Sequence, residues 1–326
     1  MPLKTEKPML NQRLVRCAAV LIALSVAACV ETPPGETDSP VANENRIPER
    51  VAPGVISTDL NETFPAEDPL DGSLWFSRYE NNFGDQTIWM ASRSASGWEP
   101  PEIVSFSGRW GDRAPRFSPD GRRLYFTSNR PVHSQDSEPG DVNIWVVTRR
   151  DDGSWGAPEL VPAPVSLEGV ADMHVSIARG GALYWASRRQ GGAGNSDIYR
   201  TVLETDTSQV EHLGEAVNDS LSQPDLLISP DETWMVLVIT DHPEGLGGDD
   251  LYVSRRQGEA WSIPEHLEAP VNTPEYEYGP SLSRDGQYLY FTSHRRDGTA
   301  DVYRMEIKDL GLTDSLRLEA RDSGLK

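Results

Sequence analysis

Basic side chains are in short supply: 30 Lys and Arg stand against 51 Asp and Glu, a net charge of −21. So acidic a chain repels phosphate backbones and anionic membrane surfaces, and nucleic acid is not an expected partner. Cysteine is scarcer still, with only Cys17 and Cys29 in 326 residues, too few for a disulfide framework. The six histidines, at positions 133, 174, 212, 242, 266 and 294, show no His-x-His or His-Glu-x-x-His spacing, so zinc chemistry has no support. No Gly-x-Ser-x-Gly elbow and no glycine-rich phosphate loop occurs, and no cofactor or metal is expected.

The first thing present is a leader. Lys4, Lys7, Arg13 and Arg16 precede an apolar run over residues 17–28 that is too short to span a bilayer as a helix, which predicts a signal peptide at 1–28. The run ends in Val26-Ala27-Ala28-Cys29, which resembles the bacterial lipobox and predicts lipidation of Cys29. Cleavage there would remove Cys17, leave no partner for a disulfide, and carry the net charge from −21 to −24. Residues 29–47 are rich in proline and acid and poor in large apolar side chains, as a flexible tether requires.

Beyond residue 47 the sequence is repetitive. "PRFSPDGRRLYFTSNR" at 115–130 returns as "PSLSRDGQYLYFTSHR" at 280–295. In Ser118-Pro119-Asp120-Gly121 the proline presets φ and the glycine suits the exit of a turn, so a hairpin corner is expected. The triplet behind it is apolar on both alternating faces, as in a strand covered on both sides. It recurs as Leu74-Trp75-Phe76, Leu124-Tyr125-Phe126, Leu183-Tyr184-Trp185, Met235-Val236-Leu237 and Leu289-Tyr290-Phe291, at spacings of 50, 59, 52 and 54. That period accommodates four strands per repeat. A third strand comes after each triplet, introduced by Thr87, Asn143, Asp197, Asp250 or Asp301, which are expected to close loops rather than form a ring of ligands. Trp98, Trp155 and Trp261 mark a later hairpin and are expected to pack between neighbouring sheets rather than to stack on sugars. The fifth repeat lacks this hairpin and its outer strand. Residues 48–53 match residues 264–270 and are predicted to supply that strand from the N-terminal end.

The pattern Pro-x-Phe-Ser-Pro-Asp-Gly-x-x-Leu-Tyr-Phe-Thr-Ser-x-Arg resembles the WD40-like β-propeller repeat of TolB-type proteins. The third repeat, with Ala178-Arg179-Gly180-Gly181, and the fourth, with Asp231-Glu232, are degenerate. The resemblance implies an all-β propeller over 48–308, read here as five four-stranded blades closed by the N-terminal strand, with a C-terminal tail at 309–326. TolB has a separate N-terminal domain, six blades and envelope partners. The first is missing from this reading, five blades are counted, and the partners are not carried over.

Carboxylates are the remaining chemical resource. Glu62, Asp112, Asp172, Asp225 and Glu277 lie where the chain enters the inner strand of each repeat and are predicted to meet at a channel mouth. Like charges gathered there would raise one another's pKa and attract a cation or a donor-rich ligand. No acid has an identifiable base partner, so the expectation is a non-catalytic outer-membrane lipoprotein facing the periplasm. It would bind an envelope protein, a glycan or a small ligand. The alternative is a polysaccharide-active enzyme that works, as glycoside hydrolases do, through axial carboxylates.

Overall fold

Each apolar triplet lies in the second strand of a sheet, and in every blade its first and third residues are almost fully buried. The computed structural model describes residues 47–133, 138–203 and 209–312. These belong to the larger of two units, Asn43–Lys326. The smaller, Met1–Ala42, falls outside the described residues, and with it the leader and Cys29. The tail beyond Leu312 also lies outside them.

Five antiparallel sheets succeed one another along the chain. Blade 1 runs from the inner strand Asn61–Glu67 through Leu74–Tyr79 and Thr87–Ala91 to Glu102–Ile103. Blade 2 comprises Asp112–Phe117, Arg123–Ser128, Asn143–Thr148 and Glu159–Leu160. Blade 3 comprises Asp172–Ile177, Ala182–Ser187, Asp197–Val202 and Glu211–His212. Blade 4 is built from Ser222–Ile228, Trp234–Thr240, Asp249–Gln257 and Glu265–His266. In blade 5, Glu277–Leu282, Tyr288–Arg296 and Thr299–Glu306 are joined by Glu49–Arg50 from the other end of the chain. Among the described residues the long 59-residue spacing holds no further sheet, because the extra length separates the second and third strands of blade 2.

The architecture is a five-bladed β-propeller whose last sheet is completed by the N-terminal strand. Glu49 pairs with Arg304 and Arg50 with Tyr303, and the Val51 N–H donates to the Val302 carbonyl at 2.8 Å. Val51 and the fully buried Ile56 then pack with Leu74 and Phe76 of blade 1 and Tyr290 and Val302 of blade 5. The circle is closed by main-chain bonds and by core packing together.

The corner turns form as their residues dictate. Gly121 donates its N–H to the Ser118 carbonyl with φ 66°, and Gly286 repeats this with Ser283 at φ 64°. In blade 4, Glu232 occupies that position at φ 57°, a conformation costly for a residue with a Cβ. Its carboxylate is tied to the Tyr184 hydroxyl at 2.5 Å and the Arg200 Nε at 3.0 Å, contacts that hold the residue in place. The hairpin tryptophans pack onto the preceding blade. Trp155 meets Trp75 edge to face at 5.6 Å, and Trp261 joins a cluster that contains Tyr184 and Ala186 of blade 3.

Every inner strand carries a bulge within its first half-dozen residues. Phe64, Ala114, His174 and Gly279 take positive φ there, between 50° and 68°. The bulge re-aims neighbouring side chains, and here it decides which ones face the axis.

Candidate functional site

Four of the five acids singled out in the sequence line neither of the two cavities on the axis. Each is fully buried and paired inside its own blade. Asp112 accepts from Arg130 at 2.6 Å and from Ser128 at 2.6 Å, with Ser107 on its other oxygen at 2.9 Å. Asp172 accepts from Arg189 at 2.9 Å, Trp185 at 3.3 Å and the Leu167 N–H at 2.9 Å. Glu277 accepts from the Thr273 N–H and hydroxyl, both at 2.8 Å, and from Ser293, with Arg295 at 3.5 Å. Glu62 accepts from Arg78 at 2.9 Å and from Thr58. Burial pushes the Glu62 and Glu277 carboxyls up, against the opposing pull of these donors. The arginine of the Phe-Thr-Ser-x-Arg motif thus belongs to an internal clamp that also grips main-chain carbonyls, as Arg295 does at Pro270 (2.9 Å) and Val271 (2.6 Å).

Asp225 is different. The register of the first four is filled in blade 4 by Gln223, whose N–H bonds the Ser196 carbonyl as the Asp112 N–H bonds Gln86. Asp225 stands two residues further on, and the bulge turns it to the axis. Its oxygens accept from the N–H groups of Leu226 at 2.8 Å and Gly279 at 3.0 Å. Beside it Arg116 reaches across the axis to the carbonyls of Pro65 (3.2 Å), Pro115 (3.0 Å) and Pro280 (3.0 Å). Burial raises the Asp225 carboxyl to about 7, with the Arg116 guanidinium and the two N–H groups acting against the rise.

Folding therefore favours neutral Asp225. Stability linked to this group is fully present below about pH 4 and is lost as pH rises through about 7. Asp225→Asn removes the titration, at a constant cost from the amide nitrogen, which cannot accept an N–H. Relative to the unsubstituted protein, the variant should gain about 1.4 kcal/mol per pH unit across that window. Urea unfolding at pH 4.5, 6 and 8 measures it, and a pH-independent difference would refute the assignment.

Two cavities lie on the axis, one at each end of the inner strands. That at the strands' C-terminal ends measures about 570 Å³ and is lined by Phe117, Ile177, Ile228 and Leu282. The other, about 580 Å³, lies where the strands begin and is the better site, because aromatic rings form much of its wall and charged and polar groups converge on it. Phe64, Phe83, Tyr276 and Tyr278 belong to the wall; Arg113, Arg188, His174, His294, Asp225 and Asp249 are its titratable groups besides the tyrosines. Phe64 lies 4.8 Å from the His174 ring and 5.2 Å from Tyr278, and Phe83 meets Phe64 at 6.1 Å. Burial also raises Asp249, whose carboxylate accepts from Thr240 at 2.6 Å.

Sequence reading missed Arg113, Arg116 and His174. Their two strands are recognisable, but strand alternation alone does not show which side chains a bulge turns inward. Two of the loop acids behave as expected, whereas Asp301 is held instead by the Arg50 and Arg296 side chains. Asp197 accepts from the N–H groups of Ala193 and Gly194, and Asp250 from those of Leu246 and Gly247. Among the described residues, no three His, Cys, Asp or Glu side chains are grouped to hold a metal ion.

The fold is a five-bladed propeller with a cavity on its axis at each end of the inner strands. No family model and no curated protein sequence matches the chain. Among solved structures it is similar to TolB from Acinetobacter baumannii, with 18% identity over 74% of this chain and 53% of that one, at a TM-score of 0.44. An α-L-arabinofuranosidase from Lactobacillus brevis is 14% identical over 76% of this chain and 90% of its own, at 0.48. A protein described as a glycoside hydrolase is 10% identical over 80% and 92%, at 0.49. The chain spans about half the length of that TolB and about a third of a similar prolyl endopeptidase. At these identities the likeness concerns the fold.

Proposed function

We propose that the protein is a binding module of the bacterial envelope, anchored by lipid on Cys29 to the outer membrane on its periplasmic side. Its propeller takes an envelope protein or a glycan at the axial cavity where the inner strands begin. The observation that carries this reading is the cavity itself, aromatic-walled and large enough for a small ligand or a protruding side chain. Against catalysis stands the commitment of Glu62, Asp112, Asp172 and Glu277 to arginine and hydroxyl partners. One observation favours the second reading, a polysaccharide-cleaving enzyme: a carboxyl raised to about 7 suits a general acid. Yet both Asp225 oxygens already face main-chain N–H groups.

Photo-crosslinking in the native envelope from a probe at Tyr276, beside a screen for glycan cleavage, tests the choice. A specific adduct without cleavage supports binding, and cleavage lost in Asp225→Asn would replace it with the enzyme reading. The anchor has its own test. Cys29→Ala should abolish incorporation of labelled fatty acid and release the protein from the membrane fraction, because the thiol is the attachment atom and multiple acyl chains hold stably where one does not. Unchanged labelling would rule out the anchor.

A further inference from the structure

We infer that the aromatic-walled cavity binds a saccharide bearing one carboxylate, with Arg113 holding the acid group and the exposed aromatic rings meeting the sugar face. This rests on the axial cavity being the binding site.

Arg113 is the second residue of the blade 2 inner strand and is only 8% exposed. Its Nε has no hydrogen-bond partner, and no carboxylate pairs with its guanidinium among the described residues. That is anomalous in a chain with 51 acids and 30 bases, where Arg78, Arg130, Arg189 and Arg295 are each matched to a carboxylate. Arg188 lines the same cavity and repels it. Burial and this repulsion push Arg113 down to about 10, which leaves it charged at neutral pH. A buried cation without a counter-charge is costly, and an anionic ligand would relieve both the burial and the repulsion.

The rest of the cavity narrows the class. The Nδ1 of His174 lies 2.8 Å from the Pro224 carbonyl, which can only accept, so Nδ1 carries the proton and Nε2 presents a lone pair. Nε2 is buried and unpartnered, an acceptor for a hydroxyl. Asp249 offers further acceptor capacity across the cavity. A carboxylate on Asp249 would repel a second negative charge on the ligand, whereas a single carboxylate can lie beside Arg113. Phe83, 41% exposed, and Tyr276, 49% exposed, offer apolar ring faces of the kind that sugar C–H groups cover. The Arg113 guanidinium lies 5.6 Å from the Phe83 ring centroid, so acid group and sugar ring would be received at one corner.

Calorimetric titration of the full-length mature protein tests this with five probes: methyl α-galacturonoside, a GlcNAc–MurNAc disaccharide, the methyl ester of each, and an alanine dipeptide. One of the two acidic sugars should bind and its neutral ester should bind at least roughly 10-fold more weakly, as loss of a charge-assisted contact implies. Which acid binds tells a uronate source from a muramate one. Arg113→Met should abolish the preference for acid over ester, and Arg188→Gln, at an exposed position, should weaken acid binding if the first variant does not fold. Equal binding of acid and ester, tighter binding of the dipeptide, or no binding by any probe overturns the inference. If crosslinking at Tyr276 still recovers a partner in that case, the binding module stands with a different ligand. If it recovers none, both readings fall together.

Discussion

Deletion of residues 48–57 should abolish cooperative folding of the propeller or leave it aggregated, whereas deletion of residues 31–45 should leave its melting temperature unchanged. The first segment carries Val51 and Ile56, 4% and 0% exposed, whose burial is worth roughly 1.5–3 kcal/mol each. It also carries Arg50, which reaches the buried Asp301 at 2.9 Å, and Ser57, whose hydroxyl brackets the Val302 N–H and carbonyl at 3.3 Å. Against a total stability of about 5–15 kcal/mol for a typical domain, these losses are large. They also bare the eight-residue strand Thr299–Glu306 along its full edge, which is a template for association. Thermal melts paired with sedimentation separate unfolding from aggregation. Equal melting temperatures for both truncations would mean that the N-terminal strand does not lock the circle.

The closure was readable because it left a gap that could be counted. Three repeats carry a tryptophan hairpin before an outer strand, the fifth ends without one, and residues 48–53 look like the missing piece. The triplets were readable for a related reason: strands buried on both faces must be apolar throughout, and an apolar run at a fixed period stands out against a chain this acidic. A second repeating device was not legible. Ser57, Ser107, Ser166, Asn218 and Asn272 each donate to or accept from the main chain of a third strand, at Val302, Ile88, Ile144, Ile198 and Leu251. Serine and asparagine do the same work there with different shapes, so the positions share no residue type to align.

The site was harder still. The inner-strand acids were found, yet their partners lie 16 to 18 residues away, as Arg78 does from Glu62 and Arg130 from Asp112. Only the antiparallel register, which sets Asp112 opposite Ser128 and Glu277 opposite Ser293, shows that the Ser-x-Arg after each triplet answers the acid before it. Asp225 looked equivalent to the others because it, too, is an acid near the start of an inner strand. The bulge separates them by two residues and by environment: four carboxylates inside blades, one on the axis. The cationic wall escaped notice because Arg113 looks like any polar residue in a half-buried strand.

The consequence is sharpest in blade 5. Arg295→Met should destabilise the protein by about 3–5 kcal/mol, since it leaves Glu277 buried without its cation and strips the Pro270 and Val271 carbonyls of their donors. Glu277→Gln should cost less, because the amide can still accept from Thr273 or Ser293, and Arg295, although it loses its counter-charge, keeps the Pro270 and Val271 carbonyls as acceptors. Combined, the two substitutions should cost clearly less than the sum of the singles, as expected for residues in one hydrogen-bonded network. Neither should change the affinity of a ligand held at Arg113, since Glu277 and Arg295 do not line that cavity. A double-mutant cycle by urea unfolding, run beside the ligand titration, measures all of this. Additive losses would mean that the pair is not coupled. Weakened binding in a Glu277→Gln protein of near-normal stability would instead return this acid to the binding site.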